Sequence, residues 1–116
     1  MNADGWSALV ITALLTNALL GFGYRLYRAV KGGPLADAIG QAILSVLLVA
    51  AALGVAADSG VARWGALAYG LVFGVVVMPV WTLAVLIPMR PGALDVSFTV
   101  VYWVGLGAVV VGALAL

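Results

Sequence analysis

Four long stretches of the chain contain no charged residue. They cover residues 5–24, 38–57, 64–89 and 96–116, so their lengths are 20, 20, 26 and 21 residues. A helix that crosses the roughly 30 Å hydrocarbon core of a bilayer needs about 20 apolar residues, and a charge at its centre costs about 2.5–3.5 kcal/mol on insertion scales. The four runs therefore predict four transmembrane helices.

The composition agrees with that prediction. Charged residues make up 8% of the 116 positions, against roughly 25% in soluble domains, and the mean hydropathy is +1.28. All connections are short, which predicts one domain, residues 1–116, with an all-α fold in which consecutive helices are antiparallel neighbours in an up-down bundle. The "GGP" at residues 32–34 is predicted to end the first helix, with glycine suited to its C-cap and Pro34 suited to the first turn of the next helix. The predicted spans are about 6–24 (extending to about residue 31), 38–57, 64–87 and 96–116.

The few cations are unevenly distributed. Three of the five, Arg25, Arg28 and Lys31, lie within seven consecutive positions. If the N-terminus is extracytoplasmic, these three and Arg90 face the cytoplasm, and Arg63 alone lies outside, which is a clear positive-inside bias. The pattern predicts a multi-pass membrane protein with both termini extracytoplasmic. It also predicts that Arg25, Arg28 and Lys31 anchor the protein at anionic lipid headgroups, with specific headgroup recognition as the alternative. The excess of Arg over Lys and the abundance of Ala, Val and Gly indicate a GC-rich prokaryotic gene, and hence a prokaryotic plasma membrane.

Small residues form stripes along the last two predicted spans. "GLVFG" places Gly70 and Gly74 in a GxxxG pattern, and Gly105, Ala108 and Gly112 follow an i, i+3, i+7 spacing. Helices associate in lipid through close packing at such residues. The stripes predict close helix contacts, either within the chain or against another chain.

Pro79 lies near the centre of the third span. Proline removes one backbone hydrogen bond and is expected to kink the helix. In lipid the freed carbonyl needs a partner from a neighbouring helix, a hydroxyl or water, and the hydroxyl of Thr82 is one candidate.

Polar side chains occur at a common distance from the predicted cytoplasmic charges. Asn17, Ser45, Thr82 and Trp103 each lie eight residues from the nearest one, or roughly 12 Å deep at 1.5 Å per residue. The full candidate polar layer comprises Asn17, Gln41, Ser45, Thr82, Trp81 and Trp103. A buried amide needs hydrogen-bond partners, so Asn17 is predicted to contact Ser45 or Gln41. The layer either fixes helix packing or lines a small cytoplasmic cavity walled by Trp81 and Trp103.

The residue inventory limits the chemistry. The chain contains no His, Cys or Glu, and its four Asp lie at the ends of the predicted helices, so we expect no catalytic, cofactor-binding or metal-binding site. A net charge of +1 predicts no nucleic-acid partner. The expected function is that of an accessory or assembly subunit, or of a homo-oligomeric structural component, with another membrane chain or a second copy as partner.

The alternative function is a small homodimeric transporter or channel for an uncharged solute or an ion. Small four-helix multidrug carriers have a similar length and act as dimers. Proton coupling in membranes generally uses an ionisable residue inside a span, and the embedded acid of those carriers has no counterpart in this sequence. Proton-coupled transport through an embedded acid is therefore not expected.

One segment has a local likeness to a known family. Residues 27–37, "YRAVKGGPLAD", resemble the first cytoplasmic loop of the small F subunit of multisubunit cation/proton antiporters, which has a YR-x-x-KGP…D pattern. The likeness covers eleven residues and implies an accessory-subunit role. Those subunits have three spans and an acid in the second, where this chain has the uncharged "AIGQAILSV".

Overall fold

The computed structural model describes residues 3–32, 35–88 and 90–116, which are 90% helical and include no strand. Four long helices account for this content, and each is long and apolar enough to cross a membrane. The prediction of an all-α chain with four long apolar helices is therefore confirmed. The helices are α1 (Ala3–Val30), α2 (Leu35–Ala56), α3 (Gly60–Leu86) and α4 (Ala93–Ala115).

Each helix begins three or four residues earlier than predicted, because its first turns include the charged residue that bounds the charge-free run. These residues are Asp4, Asp37, Arg63 and Asp95. The Oγ of Ser59 accepts a hydrogen bond from the backbone N–H of Ala62 (3.3 Å) and caps α3. The Gly92 N–H donates to Oδ2 of Asp95 (2.9 Å), so Asp95 lies inside the first turn of α4. Such bonds satisfy donors that a helix start leaves free. At the predicted end of α1, Gly32 has a positive φ of 94° and its N–H donates to the Ala29 carbonyl at 3.1 Å, whereas Gly33 and Pro34 lie outside the described residues.

Helix α1 packs against α2 and α4, while α3 packs against α2 and α4 through its first segment, Gly60–Val72. Residues early in α1 meet residues late in α4, as Val10 does at Gly112, and the end of α2 meets the start of α3 at Gly54 and Ala62. The molecule measures 42 × 22 × 20 Å. Its most deeply buried large side chains are those of Leu14, Leu106, Val10, Val109 and Asn17.

Helix α3 is not a uniform α-helix. The α-helical segment Gly60–Val72 is followed by a π-helical segment, Phe73–Val77, by four α-helical residues, Met78–Trp81, and by a second π-helical segment, Thr82–Leu86. π-helical segments thus lie on both sides of Pro79, and the kink expected at this residue stays a prediction.

The π-helical segment decides which carbonyl Pro79 leaves without its helical donor. The N–H of Met78 donates to the carbonyl of Phe73, five residues earlier. In the same register residue 79 would donate to the carbonyl of Gly74. Residue 79 is proline, which has no N–H. The Nε1–H of Trp103 on α4 donates to the Gly74 carbonyl instead, at 3.0 Å. The expectation that Thr82 serves this carbonyl is wrong, because an indole from the neighbouring helix already satisfies it.

Candidate functional site

A hydrogen-bonded cluster of three residues lies in the middle of the molecule. The Nδ2 of Asn17 is 3.3 Å from the hydroxyl of Tyr69 and 3.3 Å from the backbone carbonyl of Tyr102. The Tyr69 hydroxyl donates to the Tyr102 hydroxyl at 2.7 Å. These bonds join α1, α3 and α4. We call Asn17, Tyr69 and Tyr102 the central cluster.

The central cluster is closed to solvent and closely packed. Asn17 is 0% exposed, and its amide lies directly against Gly105, where any Cβ would overlap it. Asn17 Oδ1 has no hydrogen-bond partner among the described residues. Gly105 therefore provides the space that lets a buried amide sit between two helices.

The predicted contact of Asn17 with Ser45 or Gln41 is not the one that the structure shows. Ser45 Oγ donates to the backbone carbonyl of Ala18 at 2.8 Å, and Gln41 Nε2 lies 3.4 Å from Ser45 Oγ. Successive residues of a helix point about 100° apart, so Ala18 presents its backbone to α2 while Asn17 turns towards α3 and α4. Ser45 therefore lies at the interface of α1 with α2, and Asn17 lies at the interface of α1 with α3 and α4.

Counting from the charges misplaced the polar layer on α3. Arg25 lies inside α1, which continues to Val30, whereas Arg90 lies beyond the end of α3 at Leu86. The two counts start at different levels, so Thr82 does not meet Asn17, and its buried Oγ1 finds no partner in the described part of the chain.

Tyr69 was not identified from the sequence as a partner of Asn17. Tyr69 carries the only hydroxyl between Arg63 and Thr82, and a buried hydroxyl needs a partner.

The two tryptophans proposed as walls of one cavity line different surfaces. Trp81 is 8% exposed and faces a cleft between α2 and α3. Trp103 is 37% exposed and lines a separate groove between α3 and α4, beside Gly70 and Gly74. The interpretation of the layer as a cavity walled by both residues is therefore wrong.

The end of the molecule that carries Arg25, Arg28, Lys31 and Arg90, called the basic end below, holds an aromatic cluster. The rings of Tyr24 and Phe98 stack at a centroid distance of 3.9 Å and an angle of 8°. The Trp81 ring meets both edge-on, at 6.2 and 6.0 Å. The Tyr24 hydroxyl donates to Oδ1 of Asp95 at 2.6 Å. These contacts join α1, α3 and α4 at this end.

A cleft of about 720 Å³ opens at the basic end between α2 and α3. Arg25 and Arg28 of α1 line it together with Gln41 of α2, and its apolar walls include Leu44, Phe73, Trp81 and Val85. A small recess of about 30 Å³ continues inward to Met78, Phe98 and Tyr102. Arg25, Gln41, Phe73 and Trp81 line both spaces.

The three predicted anchoring cations do not act as one group. The Arg25 guanidinium lies over the Trp81 ring at 5.6 Å, and that of Arg28 lies 6.0 Å from the Tyr24 ring. Lys31 follows the end of α1 and lies 5.7 Å from the exposed Tyr27 ring. Arg25 and Arg28 both line the cleft, Arg25 over a ring that also lines it, whereas Lys31 is exposed and does not line it.

The predicted packing residues lie at contacts within the chain. A Cβ at Gly70 would meet Val110 and the Leu106 carbonyl, and one at Gly112 would overlap Val10. Gly74 has ordinary spacing from Leu106, so its carbonyl matters more than its missing side chain. Ala108 is partly buried against the core.

No protein-family model matches the chain, and no curated protein and no solved structure is measurably similar to it. Over the described residues, the structure contains no group of three or more His, Cys, Asp or Glu side chains that could hold a metal ion. The cleft at the basic end is therefore the candidate functional site on geometry alone.

Proposed function

We propose that the chain is an integral membrane protein of a prokaryotic plasma membrane. In this proposal its four helices form an antiparallel up-down bundle with both termini extracytoplasmic. Support comes from the outward-facing side chains, since large apolar residues such as Leu19 (77% exposed), Val61 (84%) and Leu83 (70%) would face lipid rather than water. The charges add to this support, because the C-terminal end of α1 meets the start of α4 through Tyr24 and Asp95, so four of the five cations gather at one end.

The absence of cysteine from the sequence allows a direct test of this topology. Single cysteines are introduced at Gly32, beside the basic cluster, and at Asp58, in the turn between α2 and α3. In intact cells an impermeant maleimide should label the D58C variant and not G32C, and permeabilised cells should show both. Labelling of G32C alone in intact cells would refute the orientation, and release of the chain by alkaline carbonate would refute membrane insertion.

Within the membrane we propose a non-catalytic role, as an accessory or assembly subunit or as a homo-oligomeric component. The observation that carries this proposal is the use of interior polar groups as links between helices. Asn17 joins three helices, Ser45 joins α2 to α1, and Trp103 joins α4 to α3. Such bonds fix the packing of the helices. Gly70, Gly105 and Gly112 make close contacts within the chain, so in this proposal another protein chain binds other surfaces of the helices.

Mass measurement of the protein extracted from its own membrane into nanodiscs tests this role. A complex with a second, different chain at fixed stoichiometry supports an accessory subunit, and a fixed homo-oligomer supports a structural component. A purified monomer that alone carries out a chemical reaction would refute the proposal.

The cleft favours transport of an uncharged solute or an ion as the second candidate function. It brings polar side chains from α1 and α2 to a space that continues into a recess next to Tyr102. Flux of a solute through liposomes containing the pure protein would favour this candidate. Modification of a cysteine at Gly40, which lines the cleft, should then block the flux, and modification at Gly107 on α4, where a Cβ has open space, should not.

A further inference from the structure

Within the described part of the chain, the charged residues that line the cleft are both arginines. Arg25 and Arg28 contribute guanidinium groups, and Gln41 contributes an amide whose Nε2 lies 3.4 Å from Ser45 Oγ. Guanidinium groups suit phosphate oxygens because they present donors in a planar fork. The lining is thus complementary to an anionic ligand rich in acceptor oxygens.

Trp81 supplies a second, independent observation. Its Nε1 is buried and has no hydrogen-bond partner within the described ranges, although the ring lines both the cleft and the recess. Buried N–H groups normally have an acceptor. A ligand oxygen bound in the cleft would provide one once the indole edge turns towards it.

The shape and position of the cleft narrow the ligand class. Its volume of about 720 Å³ lies within the roughly 300–1,000 Å³ range of small-molecule sites. Leu44, Phe73 and Val85 give it apolar walls beside the guanidinium groups. A ligand with an anionic head and an apolar tail matches both parts of this lining.

We propose that the cleft between α2 and α3 binds the phosphate headgroup of an anionic phospholipid from the leaflet at the basic end. Arg25 and Arg28 hold the phosphate, the Trp81 N–H donates to a phosphate or ester oxygen, and the start of an acyl chain lies along Leu44, Phe73 and Val85. Basic pockets between membrane helices on the cytoplasmic side are suited to such headgroups. This site rests on the membrane insertion proposed above.

Native mass spectrometry of the whole chain in a neutral detergent tests the site. Dioleoyl phosphatidylglycerol and dioleoyl phosphatidylcholine are titrated separately, because they share acyl chains and differ in charge. We expect one phosphatidylglycerol per chain, bound about tenfold or more tightly than phosphatidylcholine, since guanidinium–phosphate pairs are strong charge-assisted contacts. Equal affinity for the two lipids would overturn the proposal.

Matched variants locate the site. R25Q/R28Q should weaken phosphatidylglycerol binding about tenfold or more, whereas K31Q/R90Q, which removes the same charge outside the cleft, should change it by less than about twofold. W81F keeps a ring and removes the donor, so we expect about a threefold loss. Equal losses of phosphatidylglycerol binding in the two double variants would show that the lipid is attracted to basic residues in general, and would overturn the proposed site. If R25Q/R28Q does not fold by circular dichroism, the lipid preference of the wild type together with W81F decides the question.

Two further results separate this proposal from others. Displacement of the lipid by millimolar inorganic phosphate or glycerol phosphate would identify a soluble phosphate site and overturn the assignment to lipid. Loss of lipid selectivity in a chain that still resists carbonate extraction refutes the lipid site alone, whereas release by carbonate refutes the membrane proposal itself.

Discussion

The centre and the basic end of the molecule use polar residues in opposite ways. At the centre, Asn17 is fully buried, Gly105 leaves it just enough room, and two tyrosines from α3 and α4 bind it. At the basic end, aromatic rings hold the helices together around a cleft, and the buried Trp81 Nε1 lacks a partner among the described residues. The centre encloses its polar groups among protein atoms, whereas the basic end lines an open space with two arginine side chains.

Helix α3 connects the two regions and shows why they differ. Its first segment, Gly60–Val72, is α-helical and packs closely on α2 and α4 through small residues such as Gly70. From Phe73 onward π-helical turns alternate with α-helical ones around Pro79. π-helical segments often occur at functional sites because they interrupt regular side-chain spacing. The residues of α3 that line the cleft begin at Phe73, where the regular α-helical segment has ended.

The largest effect is expected at the centre, from Gly105→Ala. The added methyl group would overlap the Asn17 amide, and overpacking a close interface costs about 1–3 kcal/mol. The free energy of unfolding in mixed detergent micelles, followed by circular dichroism, should fall by that amount. If the centre is as closely packed as described, N17A should relieve part of the loss, so that the double variant is more stable than the sum of the single losses implies.

Gly107→Ala is the matched control for this experiment. Gly107 lies on the same helix, and a Cβ there meets nothing within 4 Å. Its stability should stay the same or rise slightly, because alanine favours helix more than glycine does. Equal losses for G105A and G107A would show that glycine matters for α4 in general and would remove the distinction between the centre and its surroundings.

Much of the fold was predictable, because hydropathy and charge position are properties of the sequence alone. Four charge-free runs predicted four helices within a few residues at each start. The polar partners were less predictable because depth had to be counted from charges, and Arg25 lies inside α1 while Arg90 lies beyond α3. A small cytoplasmic cavity was one of two interpretations of the polar layer, and Gln41 and Trp81 do line the cleft, whereas Trp103 does not. The full lining depends on the path of α3 after Phe73, which local sequence patterns do not specify.

The second largest effect is expected where the two regions meet. Trp103→Phe removes the donor to the Gly74 carbonyl and should cost about 1 kcal/mol, as an interhelical hydrogen bond in a membrane protein does. Pro79→Ala provides a backbone N–H, so W103F should cost measurably less in the P79A background. The same unfolding measurement on the four proteins of this cycle checks the assignment, and equal costs in both backgrounds would contradict it.

A smaller effect is expected at the basic end from Tyr24→Phe. The substitution keeps the ring stacked on Phe98 and removes the hydrogen bond to Asp95. Asp95 is partly exposed and retains the Gly92 N–H, so water compensates much of the loss and we expect about 0.5–1 kcal/mol. Tyr27→Phe, at an exposed tyrosine, should leave unfolding unchanged. A cost for Y24F above that of G105A would mean that the basic end is the more firmly held region.

The smallest effect is expected from Ser45→Ala, at the contact of α2 with α1. Ser45 Oγ donates to the Ala18 carbonyl, which lies inside α1 and keeps the N–H that an α-helix supplies to it. Removing Ser45 therefore leaves no backbone group without a donor, and we expect a cost of about 0.5 kcal/mol. Ser97→Ala, at an exposed serine of α4, is the control. If S45A instead matched W103F, the Ala18 carbonyl would depend on Ser45, and α2 would be held as firmly as the helices of the central cluster.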